Sequence, residues 1–350
     1  MALGKKSKML IIGPAPVAVG GVAVHIKRLS ILLKKDFDIT YIDEGRTRFD
    51  GYFNLRSLNL ARYIKMVKNA DVVYINSGSP ILRAFNILMC KILLHKNTVV
   101  TIHHDIGREK WLIFTKFLTQ KCNHLIVVNE ETYNVFNGVV NNLHLMPAFI
   151  PPVLVEEEKL PLQVEEWLKN IRVVGNSIIM VSNAGNLAIH EGFDLYGLDL
   201  CINAIKRLKE NGYDNFFLIF VIAEIDSHQQ LMREYEREIS DNNLSNNILI
   251  WNSGLSFVKL IEKADIVLRA TNTDGDALTV REALFYGKKV IASDVVKRPE
   301  GVLLFKNRDA KDLVRVILNA KDAVSKDDKD IEANLSSYRQ KYMDIFNGVK

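Results

Sequence analysis

Cysteine is scarce in this 350-residue chain: Cys90, Cys122 and Cys201 stand far apart, with no CxxC pair among them. That excludes a disulfide framework and a four-ligand zinc site, and it fits a reducing cytoplasm. No apolar run approaches the ~18 residues of a membrane-spanning helix. The short run MLIIG near the amino terminus passes into a Gly/Pro loop, so it reads as a first buried strand rather than a leader. No repeat of solenoid length recurs, and GxGxxG is absent. Proline is also sparse, at eight residues, and Pro147, Pro151, Pro152 and Pro161 crowd into one stretch around the acids Glu156 to Glu158. Proline cannot continue a central strand, so that stretch marks an interdomain linker.

Apolar residues make up 48% of the chain and charged residues 25%, enough apolar side chain for two cores. The length is roughly twice that of one typical domain. The net charge of +5 is unevenly placed: residues 1–150 hold 20 Lys and Arg against 10 Asp and Glu, and the remainder 26 against 31. A basic half implies an anionic partner, either a membrane surface, a phosphate-bearing substrate or nucleic acid. The last is set aside, because no aromatic-and-basic RNA module is present.

Apolar strands alternate with helical patterns along the whole chain, which predicts an α/β fold with doubly wound parallel sheets. In the first half the strands run 8–13, 39–42, 71–75, 98–102, 124–128 and 143–146. In the second they begin at 177, 216, 248, 266 and 290. The boundaries are an amino-terminal domain over 1–152, a linker over 153–172, a second domain over 173–327 and a terminal helix over 328–350, expected to pack back on the first domain.

In such sheets ligands bind beyond the carboxyl ends of the strands. Four polar segments stand there. Gly20 and Gly21 open a helix after the first strand and can let a phosphate approach its amino terminus, with His25 one turn on as a packing residue. Asn76 and Ser77 close the strand 71–75, and His103-His104-Asp105 closes the strand 98–102. His103 can bond a sugar hydroxyl or move a proton near neutral pH, while Asn76, Ser77 and His104 are candidates for holding an acceptor. The fourth segment, Arg269 to Asp294, is a strand, loop, helix, strand unit in which Asp274 and Glu282 can hold one ligand. Asp274-Gly275-Asp276 has the form of a DxD metal motif, but the Asp274–Glu282 unit gives a complete alternative, and no metal is expected.

The segment DGDALTVREALFYGKKVIASD resembles the donor-binding segment of family 4 retaining glycosyltransferases, through Glu282, Ala283, Gly287, Val290, Ala292 and Asp294. The resemblance extends to Gly20-Gly21, His103 and Met146-Pro147. It implies the GT-B architecture of two facing Rossmann-like domains with a cleft between them. It also implies that Asp274 contacts hydroxyls of the donor sugar, that the N–H groups of Ala277, Leu278 and Thr279 approach the sugar and diphosphate, and that Glu282 accepts from the ribose. Two departures stand out. The first acid is Asp274 where Glu is usual. The loop after strand 177–181 has Asn183 or Asn186, and then Tyr196, where the family places the Arg and Lys that bind the diphosphate. Arg269, Arg281 and Arg298 are the candidate replacements, with Arg269 first.

The function implied is transfer of a hexosyl group from a UDP- or GDP-sugar to an acceptor hydroxyl with retained configuration, in cell-surface polysaccharide or glycolipid assembly, without a metal cofactor. The acceptor is a glycan or lipid-linked sugar, met in the cytoplasm or at the inner face of the plasma membrane through anionic lipid. A sugar-nucleotide epimerase and a noncatalytic nucleotide-sugar-binding protein are the alternatives.

Overall fold

The computed structural model describes residues 6–18, 20–104, 106, 112–173, 175–224, 228–275, 277–321 and 329–348. The chain divides into two units, Met1–Val153 with Ala333–Lys350, and Leu154–Glu332.

The first unit is built on seven parallel strands: β1 (Ser7–Gly13), β2 (Phe37–Asp43), β3 (Phe53–Asn54), β4 (Val72–Ile75), β5 (Asn97–Ile102), β6 (His124–Val127) and β7 (Leu143–Leu145). They lie in the order β3-β2-β1-β4-β5-β6-β7. Helices α1 (Gly21–Leu33), α2 (Leu60–Asn69), α3 (Pro80–Ile87), α4 (Leu112–Thr119) and α5 (Glu130–Phe136) connect them, and a π-helical stretch, Leu88–Leu93, continues α3. Alternation along β1 splits the core. Leu10 and Ile12 join Val73, Ile75 and Val100 on one face of the sheet, and Met9 and Ile11 join Val72, Tyr74 and Val99 on the other. Both faces are covered, which is why these strands read as unbroken apolar runs.

The second unit has a six-stranded parallel sheet: β8 (Ile178–Asn186), β11 (Phe216–Glu224), β12 (Ile248–Trp251), β13 (Ile266–Arg269), β14 (Lys289–Ser293) and β15 (Val302–Phe305), in the order β12-β11-β8-β13-β14-β15. A small antiparallel hairpin, β9 (Ile189–His190) and β10 (Phe193–Asp194), follows β8. Its helices are α6 (Leu162–Val173), α7 (Leu198–Glu210), α8 (Gln229–Asp241), α9 (Phe257–Lys263), α10 (Leu278–Phe285) and α11 (Ala310–Lys321). Two apolar layers cover the sheet, one on each face.

One stretch differs from expectation, and the terminal helix packs on the first unit as expected. Residues 153–172, expected as a linker, carry most of α6, whose Val164, Leu168 and Ile171 are buried in the second core. The prolines and acids that signal a break precede the helix and do not enter it. The last helix, α12 (Lys329–Asn347), begins in the second unit and belongs to the first from Ala333 onward, where Tyr342, Ile345 and Phe346 fill the β1-β4 face of the core.

Candidate functional site

In the second sheet the chain starts at β8 and winds outward in both directions, so the strand order reverses between β8 and β13. Ligand crevices form at such switch points. Arg269 ends β13, and its guanidinium grips Asp274 with two bonds, Nε to Oδ2 at 3.0 Å and Nη2 to Oδ1 at 2.9 Å. Arg298 reaches the same carboxylate from beyond β14, Nη1 to Oδ2 at 2.7 Å. The Thr271 hydroxyl donates to Oδ2 at 3.2 Å and the Gly275 N–H to Oδ1 at 3.0 Å. The three charged side chains are 13%, 3% and 7% exposed for Arg269, Arg298 and Asp274. Burial pushes the Asp274 carboxyl up, but Arg269 and Arg298 together outweigh it and hold the group at about 2. The cluster therefore carries two positive charges against one negative.

This arrangement gives Asp274 protein partners that the sequence pattern did not show. A carboxylate offers about four acceptor positions, and five protein bonds already converge on its two oxygens. Asp276 of the DxD tripeptide lies outside the described residues, and among those described no group of three His, Cys, Asp or Glu stands together to hold a metal.

The cluster is joined to its surroundings through Asn183 on β8. The Arg269 Nη1 donates to the Asn183 carbonyl at 3.5 Å, and the Thr279 hydroxyl donates to Asn183 Oδ1 at 3.2 Å. Arg269 also lies over the Tyr196 ring, 5.4 Å from its centroid. Ala277 precedes α10 in extended conformation with no side chain capping the helix. The first N–H groups of a helix have no partner within it, and the first turn of α10 is linked to Arg269 through Asn183, which both Thr279 and Arg269 reach. Glu282, one turn on, is buried.

Two neighbouring features were not apparent in the residue pattern. Gly197 caps α7 at φ +73°, and a Cβ there would stand 2.2 Å from the Ala270 carbonyl oxygen, so only glycine lets α7 start against the end of β13. Asp194 ties down the approach, accepting the Tyr196 and Gly197 N–H groups at 2.8 and 3.1 Å on one oxygen and the Tyr235 hydroxyl at 2.8 Å on the other.

In the first sheet the order reverses between β1 and β4. His103 follows β5 and bonds Asn76 Oδ1 through Nε2 at 3.0 Å. An amide oxygen only accepts, so with Asn76 in this orientation Nε2 carries the hydrogen and Nδ1 is left as an acceptor. Burial, reinforced by His25 and His104, holds His103 well below the usual histidine range. His25 meets it edge-on at 4.8 Å, donates Nδ1–H to the Ala148 carbonyl at 2.8 Å, and takes the Tyr74 hydroxyl on Nε2 at 3.2 Å. Burial brings His25 down to about 4 against the raising effect of Ala148. It is a core residue.

Asn76 and Ser77, expected to hold an acceptor, are instead turned into the unit. Asn76 is fully buried, and the Ser77 hydroxyl donates to Glu44 Oε1 at 2.8 Å. Asn86 Nδ2 donates to the same oxygen at 2.5 Å, and Asn86 Oδ1 accepts the Tyr63 hydroxyl at 2.8 Å. Burial raises the Glu44 carboxyl to about 7, against the lowering effect of Ser77 and Asn86. Gly20 and Gly21 are open: Gly20 has φ +132°, and no atom lies within 4 Å of a Cβ at either position. The His104 carbonyl accepts the Thr132 hydroxyl at 3.1 Å. Asp105 lies outside the described residues.

No protein-family model matches the chain, and no curated protein does. Solved structures do. A glycosyltransferase from Rickettsia africae ESF-5 aligns over 98% of each chain at 16% identity with a TM-score of 0.66. Anabaena HepE in complex with UDP aligns over 96% of this chain and 94% of its own, at 14% identity and a TM-score of 0.58. Sucrose-phosphate synthase from Thermosynechococcus elongatus aligns over 98% and 100%, at 14% identity and a TM-score of 0.56. The fold is thus that of GT-B proteins, two doubly wound α/β units in one chain.

Proposed function

We propose that this chain is a glycosyltransferase that moves a hexosyl group from a UDP- or GDP-sugar to an acceptor hydroxyl with retained configuration. One observation carries the reading: at the β8/β13 crossover two nearly buried guanidinium groups share one carboxylate beside the uncapped start of α10. A diphosphate needs cations and N–H donors together. Solved structures of this fold that hold UDP and UDP-glucose support the choice of ligand.

In this reading Asp274 positions Arg269 and Arg298, and the surplus positive charge meets the diphosphate in place of the cations missing from the β8 loop. The N–H groups of Ala277, Leu278 and Thr279 approach the phosphates and Glu282 accepts from the ribose. The bond from the anomeric carbon to the diphosphate oxygen breaks, the acceptor oxygen bonds to that carbon on the same face, and the acceptor proton passes to the leaving phosphate. The protein positions both partners and stabilises the developing charge. His103, neutral and with Nδ1 open, accepts a substrate hydroxyl. No metal takes part. The acceptor is a glycan or lipid-linked sugar presented at an anionic membrane face.

Thermal-shift measurement with UDP, GDP and ADP tests the donor site. A nucleotide at about a hundred times its Kd stabilises the protein by about 2.7 kcal/mol, and Arg298→Ala and Glu282→Ala should each reduce that gain. If no nucleotide shifts the melting temperature, the reading fails. Turnover that persists with a chelator present supports metal independence. A donor epimer formed without acceptor would point to an epimerase.

A further inference from the structure

We propose that α3, its π-helical continuation and α4 form a docking face for an anionic lipid bilayer. The helix α4 is turned inside out for a surface helix: Thr115, Leu118 and Thr119 are buried, while Ile113, Phe114 and Phe117 are 88%, 54% and 56% exposed. α3 packs against α4. Along α3 and its continuation Ile81, Leu88, Ile92 and Leu93 are exposed as well. Soluble surfaces seldom gather apolar side chains in this way unless something covers them.

Charge identifies what covers this face. Residues 72–104 and 112–129 contain no Asp or Glu, while Lys91, Lys96, Lys116 and Lys121 lie among them. Lys121 extends its ammonium over the Phe117 ring, 5.2 Å from the centroid, which joins the basic and aromatic groups in one patch. Aromatic and aliphatic side chains bordered by lysine suit the boundary between headgroups and acyl chains of anionic lipid. A second copy of the chain would bring lysine against lysine across a two-fold interface, which disfavours it.

The inference deepens the lipid-linked acceptor reading and rests on it for its purpose, but its test needs neither donor nor turnover. The full chain is sedimented with vesicles of phosphatidylcholine alone, and with vesicles of phosphatidylcholine and phosphatidylglycerol in equal parts, at low and raised salt. Binding is expected to the mixed vesicles only, and to weaken with salt. Phe114→Ser with Phe117→Ser should lower vesicle affinity about tenfold or more, as should Lys116→Glu with Lys121→Glu. In both variants the melting temperature and the nucleotide-induced shift should stay as in the parent, which separates loss of docking from loss of fold or of the donor site. Parent protein that stays in the supernatant, or a Phe variant that binds as well as the parent, overturns the proposal. So does a parent dimer that the Phe variant abolishes.

Discussion

Replacing Asp274 with Asn leaves two guanidinium groups nearly buried and without a counter-charge. Breaking such a group by removing one partner costs about 3 kcal/mol or more, so Asp274→Asn should lower the urea midpoint markedly and weaken nucleotide binding with it. The charge also sets a pH dependence. The folded carboxyl is held at about 2, below its ordinary value of 3.8, so its stabilisation is full above about pH 4 and disappears as pH falls toward 2. That step should be missing from Asp274→Asn. Two buried groups of the first unit, His25 and Glu44, act in opposite senses. His25, lowered to about 4 from 6.5, contributes stability above about pH 6.5 that is lost as pH falls toward 4, by up to roughly 3 kcal/mol. Glu44, raised to about 7 from 4.5, contributes stability at low pH that is lost as pH rises through 7. Urea titrations across this range should show His25→Gln flattening the acid side of the stability curve and Glu44→Gln flattening the neutral side. A shared slope in all three proteins would remove both assignments.

The strand, loop, helix, strand unit from Arg269 onward was legible in the sequence because its pattern is local: two apolar runs, a polar loop, and a helix ended by Gly287. The role of Asp274 was not, because it depends on Arg298, 24 residues on and beyond β14. The Glu44 network has the same cause, since its burial needs Ser77 and Asn86, 33 and 42 residues away. The elements that escaped notice are short or masked by composition. β3 and the β9–β10 hairpin have two-residue strands, β15 is a four-residue edge strand, and α6 sits behind prolines and acids. The junction at Gly197 allows a direct test of this element's geometry. Gly197→Ala places a Cβ against the Ala270 carbonyl at a positive φ, which should cost about 3 kcal/mol. Chemical denaturation reads this loss. Because the strain falls where α7 meets the end of β13, nucleotide affinity should fall as well, and an unchanged affinity would separate that junction from the donor site.

Across the molecule the two parallel sheets were readable from alternating periodicity alone, and among the described residues no helix is long and apolar enough to cross a membrane. The return of the terminal helix to the first unit was readable too, while the boundary at 153–172 was not, because α6 of the second unit fills most of the stretch expected as a linker. Tyr342, Ile345 and Phe346 are 1%, 5% and 0% exposed within the first unit's core, and each such side chain contributes about 1.5–3 kcal/mol. A chain ending at Glu332 should therefore lose the first unit's cooperative melt while the second unit keeps its own, which calorimetry and limited proteolysis can separate. During synthesis this has a kinetic meaning. Residues 154–332 form one continuous stretch and can close as soon as they leave the ribosome. The part of the first unit that precedes them keeps its core open until the residues from Ala333 onward are released, so it is the half that needs protection from aggregation while translation runs.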